Sequence, residues 1–361
     1  MTWAALGSAA TLAAAVGALC LGSGCASVQA TVGYYAQSVG GHVDLMQRAR
    51  PVDQWLADAT TPPDLKDRLA LAQQLRRFAV KELALPDNAS YTRYADLGRN
   101  AAVWNVVAAP ELSLTLKTWC YPVMGCVGYR GYFDRSAAEA EGQALRDQGL
   151  EVSVYGVPAY STLGWTNWIG GDPLLNTLVN AGEAQLARLI FHELAHQVLY
   201  VSGDTAFNES YATAVERLGL VRWQAATGRQ VDDPAALQRG ADFRALTRRT
   251  RAALAALYAG GEPDPIKRQR KAELMAAMRA EHAALKARPD GPWAGFTGYD
   301  AWFARANNAA LALQAAYDAL VPGFERLFEQ QGGDFARFHA EVRRLADLPA
   351  EQRRAALSVT P

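Results

Sequence analysis

The sequence has no surplus of charge of either sign. Its 36 Lys and Arg residues balance 36 Asp and Glu residues, so the formal net charge is zero. Binding to nucleic-acid phosphates needs a basic surplus or stripe, so this balance argues against a nucleic-acid partner. The basic run 267–271 is typical of a solvated helix face. Cysteine is also scarce, and four cysteines in 361 residues are too few for a disulfide scaffold.

Basic residues are absent from the start of the chain, where no Lys or Arg precedes Arg48. Residues 4–22 form an uncharged run of small apolar residues, which predicts an export segment. The sequence GSGC ending at Cys25 resembles the lipobox of bacterial lipoproteins, whose cysteine is lipidated. We therefore expect residues 1–25 to be a signal and lipoprotein segment, 26–361 a single domain, and the protein to be membrane-anchored and facing the periplasm. A retained membrane anchor and a plain cleaved signal are the alternatives.

Export changes the interpretation of Cys120 and Cys126, which enclose Pro122 and Gly125. In an oxidising compartment these two cysteines could close a small disulfide loop. A second metal site is the alternative, but the segment offers only two ligands and no nearby histidine. A structural disulfide is the favoured interpretation.

The pattern of apolar residues predicts an α+β fold that is predominantly helical. β-branched and aromatic residues favour strands at 102–109, 129–133 and 152–160. Helical spacing predicts helices at 28–50, 63–85, 136–149, 180–200, 207–218, 234–260, 263–288, 298–320 and 333–346. Asn180 with Glu183 is typical of a capping box that opens a helix, and Gly219 is suited to a C-terminal cap.

The clearest chemical signal is the sequence HELAH at residues 192–196. His192 and His196 are four residues apart, so on a helix their imidazoles lie one turn apart and can bind one ion. Glu193 between them can reach a water at that ion without being a ligand. Two histidines and a carboxylate leave a position open for water, as in catalytic rather than structural zinc sites.

The third ligand is expected on the next helix, where FNESYATAVE spans residues 207–216. If this helix packs back against the first, Glu209 faces the two histidines. Glu216 lies on the same face and is a candidate acceptor for the free N–H of a ligand histidine. Asn208, beside Glu209, is expected to support the site as well.

These segments resemble the gluzincin class of zinc peptidases, and more closely a bacterial family of predicted zinc aminopeptidase lipoproteins. The resemblance also rests on SYTRYADLGR (90–99), WNVVAAPE (104–111), TWCYPVMGCVGYRGYF (118–133), AYSTLGW (159–165), DPLLNTL (172–178), NNAAL (307–311) and VPGF (321–324). It implies a zincin-like fold with a small sheet packed on the HExxH helix and a helical C-terminal half. It also implies one zinc ion and a peptide substrate.

The resemblance implies that the protein is an aminopeptidase, which removes N-terminal residues from peptides. A metal-activated water is expected to attack the peptide bond, with Glu193 as the general base. One further donor should stabilise the oxyanion. The sequence offers several candidates for that donor: Tyr160, Tyr299, Tyr317, His282 and His339. Glu111 and Asp172 are candidates for holding the free α-amine of a substrate.

Two alternatives stay open at this point. A zinc endopeptidase or a cell-wall amidase would use the same metal and base with another specificity. A non-catalytic, zinc-stabilised lipoprotein that binds partners would not need Glu193, so the presence of Glu193 favours an enzyme.

Overall fold

The structure, a computed structural model, describes residues 25–121, 125–159, 170–231 and 233–358. The chain divides into two units, Met1–Arg48 and Ala49–Pro361. The described part of the first unit is helix α1, Cys25–Arg48. Within the described ranges, no helix has the length and hydrophobicity needed to cross a membrane.

The second unit is mostly helical, which confirms the predicted α+β, predominantly helical class. Its strands are β1 (Arg50–Pro51), β2 (Arg93–Ala95), β3 (Val103–Pro110), β4 (Trp119–Tyr121), β5 (Gly125–Val127), β6 (Arg130–Tyr132), β7 (Leu150–Val157) and β8 (Leu174–Leu175). Its helices are α2 (Val52–Ala57), α3 (Pro63–Glu82), α4 (Arg135–Asp147), α5 (Asn176–Val179), α6 (Glu183–Val198), α7 (Thr205–Thr227), α8 (Pro234–Ala259), α9 (Asp264–Lys286), α10 (Asp300–Arg305), α11 (Asn308–Asp318), α12 (Val321–Gln330), α13 (Phe335–Ala346) and α14 (Ala350–Leu357).

The central sheet is antiparallel, with strand order β6-β3-β7. Successive side chains of a strand point to opposite faces, and here helices cover both faces. Val152 and Val154 lie on the face against α4, where a Cβ on Gly142 would be 2.9 Å from Val154 Cγ2. Val107 lies on the other face and packs with Ala309 of α11. Because both faces are covered, nearly every residue of β3 is buried.

The remaining strands form two smaller sheets. Strands β1, β2 and β8 pair in the order β1-β2-β8. Strands β4 and β5 form a hairpin in which Cys120 pairs with Cys126, and these two residues are joined by a disulfide. The sequence had suggested no strands at β4 and β5, since three-residue strands leave little periodicity to detect.

Helices α2, α5, α12 and α14 were not predicted from the sequence, and α7 ends at Thr227 rather than at residue 218. Three further details of the helices differ from the sequence prediction. The predicted helix 298–320 is divided into α10 and α11 because the Asn307 side chain caps α11, accepting from Ala310 N at 3.0 Å. The prediction of a capping box at Asn180 is wrong. Helix α6 begins at Glu183, after Gly182, and the Asn180 side chain instead accepts a hydrogen bond from Arg68.

The third difference concerns Gly219, which lies inside α7 rather than ending it. A Cβ at this position would be 2.8 Å from Leu83 Cδ1 and 2.8 Å from Phe191 Cδ2. Gly219 therefore permits close packing of α7 on α6, and Gly228, with φ of 67°, is the residue that caps α7.

Candidate metal centre

Helices α6 and α7 pack against each other and carry the predicted ligands. The connection between them is short and is held by Asn208, whose side chain accepts from Val201 N and donates to Val201 O, both at 2.8 Å. Asn208 was predicted to support the site, and its described hydrogen bonds show one way in which it does so. It clamps the connection that sets α7 beside α6.

The structure brings His192, His196 and Glu209 together as a group that could hold a metal ion. The Nε2 atoms of the two histidines are 3.2 Å apart. Oε2 of Glu209 is 3.3 Å from His192 Nε2 and 3.6 Å from His196 Nε2. The three side chains are only 11 %, 6 % and 12 % exposed, so the group is largely shielded from water.

These separations fit a single tetrahedral ion. With metal–nitrogen and metal–oxygen bonds of about 2.1 Å, neighbouring ligand atoms of a tetrahedral site are about 3.4 Å apart. The three observed separations fall on either side of this value. The three atoms therefore form one triangular face of a tetrahedron and leave its fourth corner open.

The donor set attracts positive charge. Nδ1 of His192 lies 3.0 Å from Glu216 Oε2, and donating a proton there leaves Nε2 to bind either a second proton or a metal ion. A bare lone pair on Nε2 would face the carboxylate oxygen of Glu209, an arrangement that is repulsive without a positive charge. A proton on Nε2 or a divalent ion removes this repulsion. Glu216 lies where the sequence analysis expects an acceptor for the free N–H of a ligand histidine.

His196 has no comparable support among the residues that the structure describes. Its Nδ1 is buried and has no hydrogen-bond partner there. The two ligand histidines are thus held differently, His192 by a carboxylate and His196 by packing.

The charges of the group are strongly coupled. Burial lowers the pKa of His192, but the carboxylates of Glu209 and Glu216 outweigh it and raise that pKa well above its usual range. Burial raises the pKa of Glu209, and the facing histidines outweigh it and hold that pKa below its usual range. The site is therefore organised to keep Glu209 anionic and to attract positive charge.

Glu193 lies on α6 between the two histidines but is not part of the ligand group. Burial raises the pKa of its carboxyl group, and the charges of Glu209 and Asp172 raise it further against the opposing effect of the histidines.

The charges of this centre act on four tyrosines that were not predicted as site residues: Tyr91, Tyr129, Tyr155 and Tyr200. Burial and then the charge of Glu209 raise the pKa of Tyr129, and Glu193 adds to the effect. Burial raises the pKa of Tyr155 to about 12, with a smaller contribution from Glu209. The charges of Glu209, a candidate metal ligand, and of Glu193, the candidate base, therefore both act on Tyr129.

The sheet explains how these tyrosines reach the centre. Tyr129 precedes β6 and Tyr155 lies on β7, and both pack against the cluster of Val107, Ala109 and Ala309. The segment TWCYPVMGCVGYRGYF, which contains Tyr129, was noted only as part of a resemblance. Its concentration of tyrosines was the one signal in the sequence for this role.

The tyrosines that the sequence analysis proposed are not brought to the centre by described contacts. Tyr160 lies outside the described residues, and so does the side chain of Tyr317. Tyr299 stacks on Phe243, with ring centroids 4.5 Å apart, in an aromatic cluster built by α8, α9 and α10. The ring of Tyr299 therefore packs in a hydrophobic core, and no described contact joins it to the metal centre.

The other candidate residues from the sequence lie in different surroundings. Glu111 pairs with Arg268 at 2.8 Å on the surface, which argues against a role in holding a substrate. His282 stacks on Phe303. Asp172 is different, because it is 1 % exposed and its charge acts on Glu193.

His339 is a structural residue. Its Nε2 lies 2.8 Å from Leu83 O and its Nδ1 lies 2.8 Å from Tyr211 Oη. The neutral ring therefore donates to the carbonyl and accepts from the hydroxyl, and protonation would break the second bond. Burial lowers the pKa of His339 to about 4.

This shift predicts a loss of stability in mild acid. The pKa of His339 is about 4 in the folded chain and about 6.5 when unfolded, so between these values only the unfolded chain binds the proton. The contribution is complete above pH 6.5 and is lost as the pH falls. We expect wild type to lose about 2 kcal/mol more unfolding free energy than His339→Gln between pH 7 and pH 5. Denaturant unfolding at the two pH values measures this difference, and equal losses would contradict it.

The sequence model of a family described as "Putative aminopeptidase" matches residues 33–357. No curated protein and no solved structure shows a significant match.

Proposed function

The chain belongs to the putative aminopeptidase family, and on that premise we propose that it is a zinc-dependent aminopeptidase. The observation that carries the proposal is the convergence of His192, His196 and Glu209 beside Glu193. Two imidazoles and one carboxylate with an open fourth position favour zinc among the divalent ions.

The residues divide the chemistry among them. Zinc, when bound, polarises the scissile carbonyl and makes water at the open position more acidic. Glu193 takes the proton from the attacking water and returns it to the leaving amine. Glu216 holds His192 in the tautomer that presents Nε2, as the 3.0 Å contact requires.

Tyr129 is our candidate for the oxyanion donor, in place of Tyr160, Tyr299 and Tyr317. The support is that the charges of Glu209 and Glu193 both act on the Tyr129 hydroxyl. They raise its pKa in addition to the larger increase that burial causes. Burial keeps the hydroxyl protonated, so that it can donate to the carbonyl oxygen as negative charge develops there.

An assay of the purified protein against amino-acid 7-amido-4-methylcoumarin substrates tests the proposed activity. We expect release of the fluorophore from free-amine substrates, loss of activity with a chelator, and recovery with added zinc. Cleavage of internally quenched, N-blocked peptides alone would indicate an endopeptidase, and no cleavage of either class by the zinc-loaded protein would contradict a peptidase function.

We also propose that the protein is exported and anchored by a lipid on Cys25. The support is the apolar run 4–22, the GSGC sequence and the Cys120–Cys126 disulfide, a bond typical of oxidising compartments. Wild type should fractionate with membranes and Cys25→Ser should not; equal fractionation of the two would contradict lipidation.

A further inference from the structure

Tyr91 is a buried tyrosine with an unusual backbone conformation. The residue is 1 % exposed, and its Oη has no hydrogen-bond partner among the described residues. Its backbone is in the left-handed region, with φ of 64°, which is unfavourable for a bulky side chain. Such costs persist in folded proteins where the surrounding structure enforces them, and they are concentrated at functional sites.

The surrounding structure holds the Tyr91 backbone from both sides. Its N–H donates to the carbonyl oxygen of Asp172 at 2.7 Å. Its own carbonyl accepts from Gln73 Nε2, also at 2.7 Å. The backbone of Tyr91 is therefore held in place by two other segments of the chain.

Asp172 is fixed by the same crossing of segments. A Cβ on Gly171 would lie 2.5 Å from Ser90 N, so the two backbones touch, and only glycine fits at that point with its φ of 63°. Asp172 N donates to Ser90 Oγ at 3.2 Å. The carboxylate of Asp172 is thus held rigidly beside Tyr91 while being 1 % exposed.

Gln197 ties this crossing to the helix that carries the metal ligands. It follows His196 on α6, and its Nε2 donates to Ser90 Oγ at 3.1 Å and lies 3.5 Å from Asp172 Oδ2. Its Oε1 accepts from Asn88 Nδ2 at 2.7 Å. The Tyr91–Asp172 pair therefore has a fixed position relative to α6 and its Glu193.

Helix geometry places the pair beside Glu193. Glu193 and Gln197 are four residues apart on α6 and therefore lie on the same face of that helix. Because Gln197 contacts both Ser90 and Asp172, the segments that carry Tyr91 and Asp172 lie against the Glu193 face of α6. The charges of Glu193 and Asp172 also act on Tyr91, whose pKa is raised first by burial and then by these two charges.

We propose that the Asp172 carboxylate and the Tyr91 hydroxyl form the subsite that receives the free α-ammonium group of the substrate. This proposal rests on the proposed function and makes it specific. The α-nitrogen is attached to the carbon next to the scissile carbonyl, so its binding groups must lie close to Glu193. A second buried carboxylate beside Glu193 favours a cationic ligand. An ammonium group offers three donors, which the carboxylate and the tyrosine oxygen can accept.

The test uses Tyr91→Phe and Asp172→Asn, with Tyr94→Phe as a matched control at a buried tyrosine on β2 that packs on Trp55. Substrates are leucine 7-amido-4-methylcoumarin and its N-acetyl form. We expect Asp172→Asn to lower kcat/KM for the free-amine substrate by about 10²-fold. Tyr91→Phe should lower it by about 10-fold, and Tyr94→Phe should leave it unchanged. Both variants should lower kcat/KM for the N-acetyl substrate far less than for the free-amine substrate, because the N-acetyl form carries no ammonium group.

Binding of leucine hydroxamate and N-acetyl-leucine hydroxamate to the zinc-loaded protein gives a second readout that does not need turnover. Wild type should prefer the free-amine form, and Asp172→Asn should bind the two nearly equally. The proposed subsite would be overturned if wild type bound the two hydroxamates equally. It would also be overturned if both variants kept the wild-type preference for the free-amine form. Zinc-loaded wild type that binds as expected but hydrolyses no peptide would overturn the proposed function instead. Tyr91→Phe removes only a hydroxyl that has no hydrogen-bond partner among the described residues. This variant should therefore fold even if Asp172→Asn does not.

Discussion

Replacing Glu193 with Gln is expected to lower the rate of peptide hydrolysis by about 10² to 10⁴-fold, the usual contribution of a general base. The amide keeps the size and position of the side chain but cannot accept the proton of the attacking water. Glu193 is not one of the three groups that converge on the metal position, so the metal content should not change. Steady-state kinetics with elemental analysis of the same sample measures both quantities.

The matched control is Glu273→Gln, which makes the same chemical change at an exposed position of α9. We expect this variant to have wild-type activity and wild-type metal content. Undiminished activity in Glu193→Gln would remove Glu193 from the mechanism. Loss of metal in that variant would mean that Glu193 is a ligand.

Removing the side chain of Arg353 is expected to destabilise the fold by about 3 to 5 kcal/mol, the cost of leaving a buried charge without its partner. Arg353 on α14 pairs with Asp204 at 2.9 Å, and their side chains are only 9 % and 6 % exposed. It also donates to the carbonyl oxygens of Ala346 and Leu348. Asp204 accepts from Phe207 N and caps α7, so the pair ties the end of the chain to the helix that carries Glu209.

Denaturant unfolding of Arg353→Ala checks this expectation, and Arg354→Ala, at the exposed neighbouring position, is the control. The control should change stability by less than about 0.5 kcal/mol. Equal effects of the two substitutions would show that the buried pair contributes no more than an exposed arginine does. The variant should also bind metal more weakly if the cap positions Glu209.

The three residues that could hold a metal ion were predictable from sequence because their geometry is local. The spacing of His192 and His196 is a property of any helix, and the short connection to Glu209 leaves few ways to pack the second helix. Glu216 could be selected for the same reason, since it follows Glu209 at helical spacing and lies 3.0 Å from His192 in the structure.

The rest of the centre depends on tertiary contacts between distant segments. Tyr129 packs on the sheet, and the charge of Glu209 acts on it there. Tyr91 is held by its backbone hydrogen bond to Asp172, and the charge of Glu193 acts on it. No local pattern indicates such a crossing, whereas Tyr299 appeared plausible only because its aromatic partners were unknown. Gly219 shows the same limit, because a glycine that ends a helix and one that admits a neighbouring helix look alike in sequence.

The central claim is that His192, His196 and Glu209 hold one metal ion, and the most direct test is the metal content of the purified protein. Wild type and Glu209→Ala are equilibrated with zinc, dialysed and analysed for metal, with circular dichroism to establish that both are folded. We predict one zinc per chain in wild type and essentially none in Glu209→Ala. A folded wild type without metal, or a Glu209→Ala variant that keeps its ion, would contradict the account.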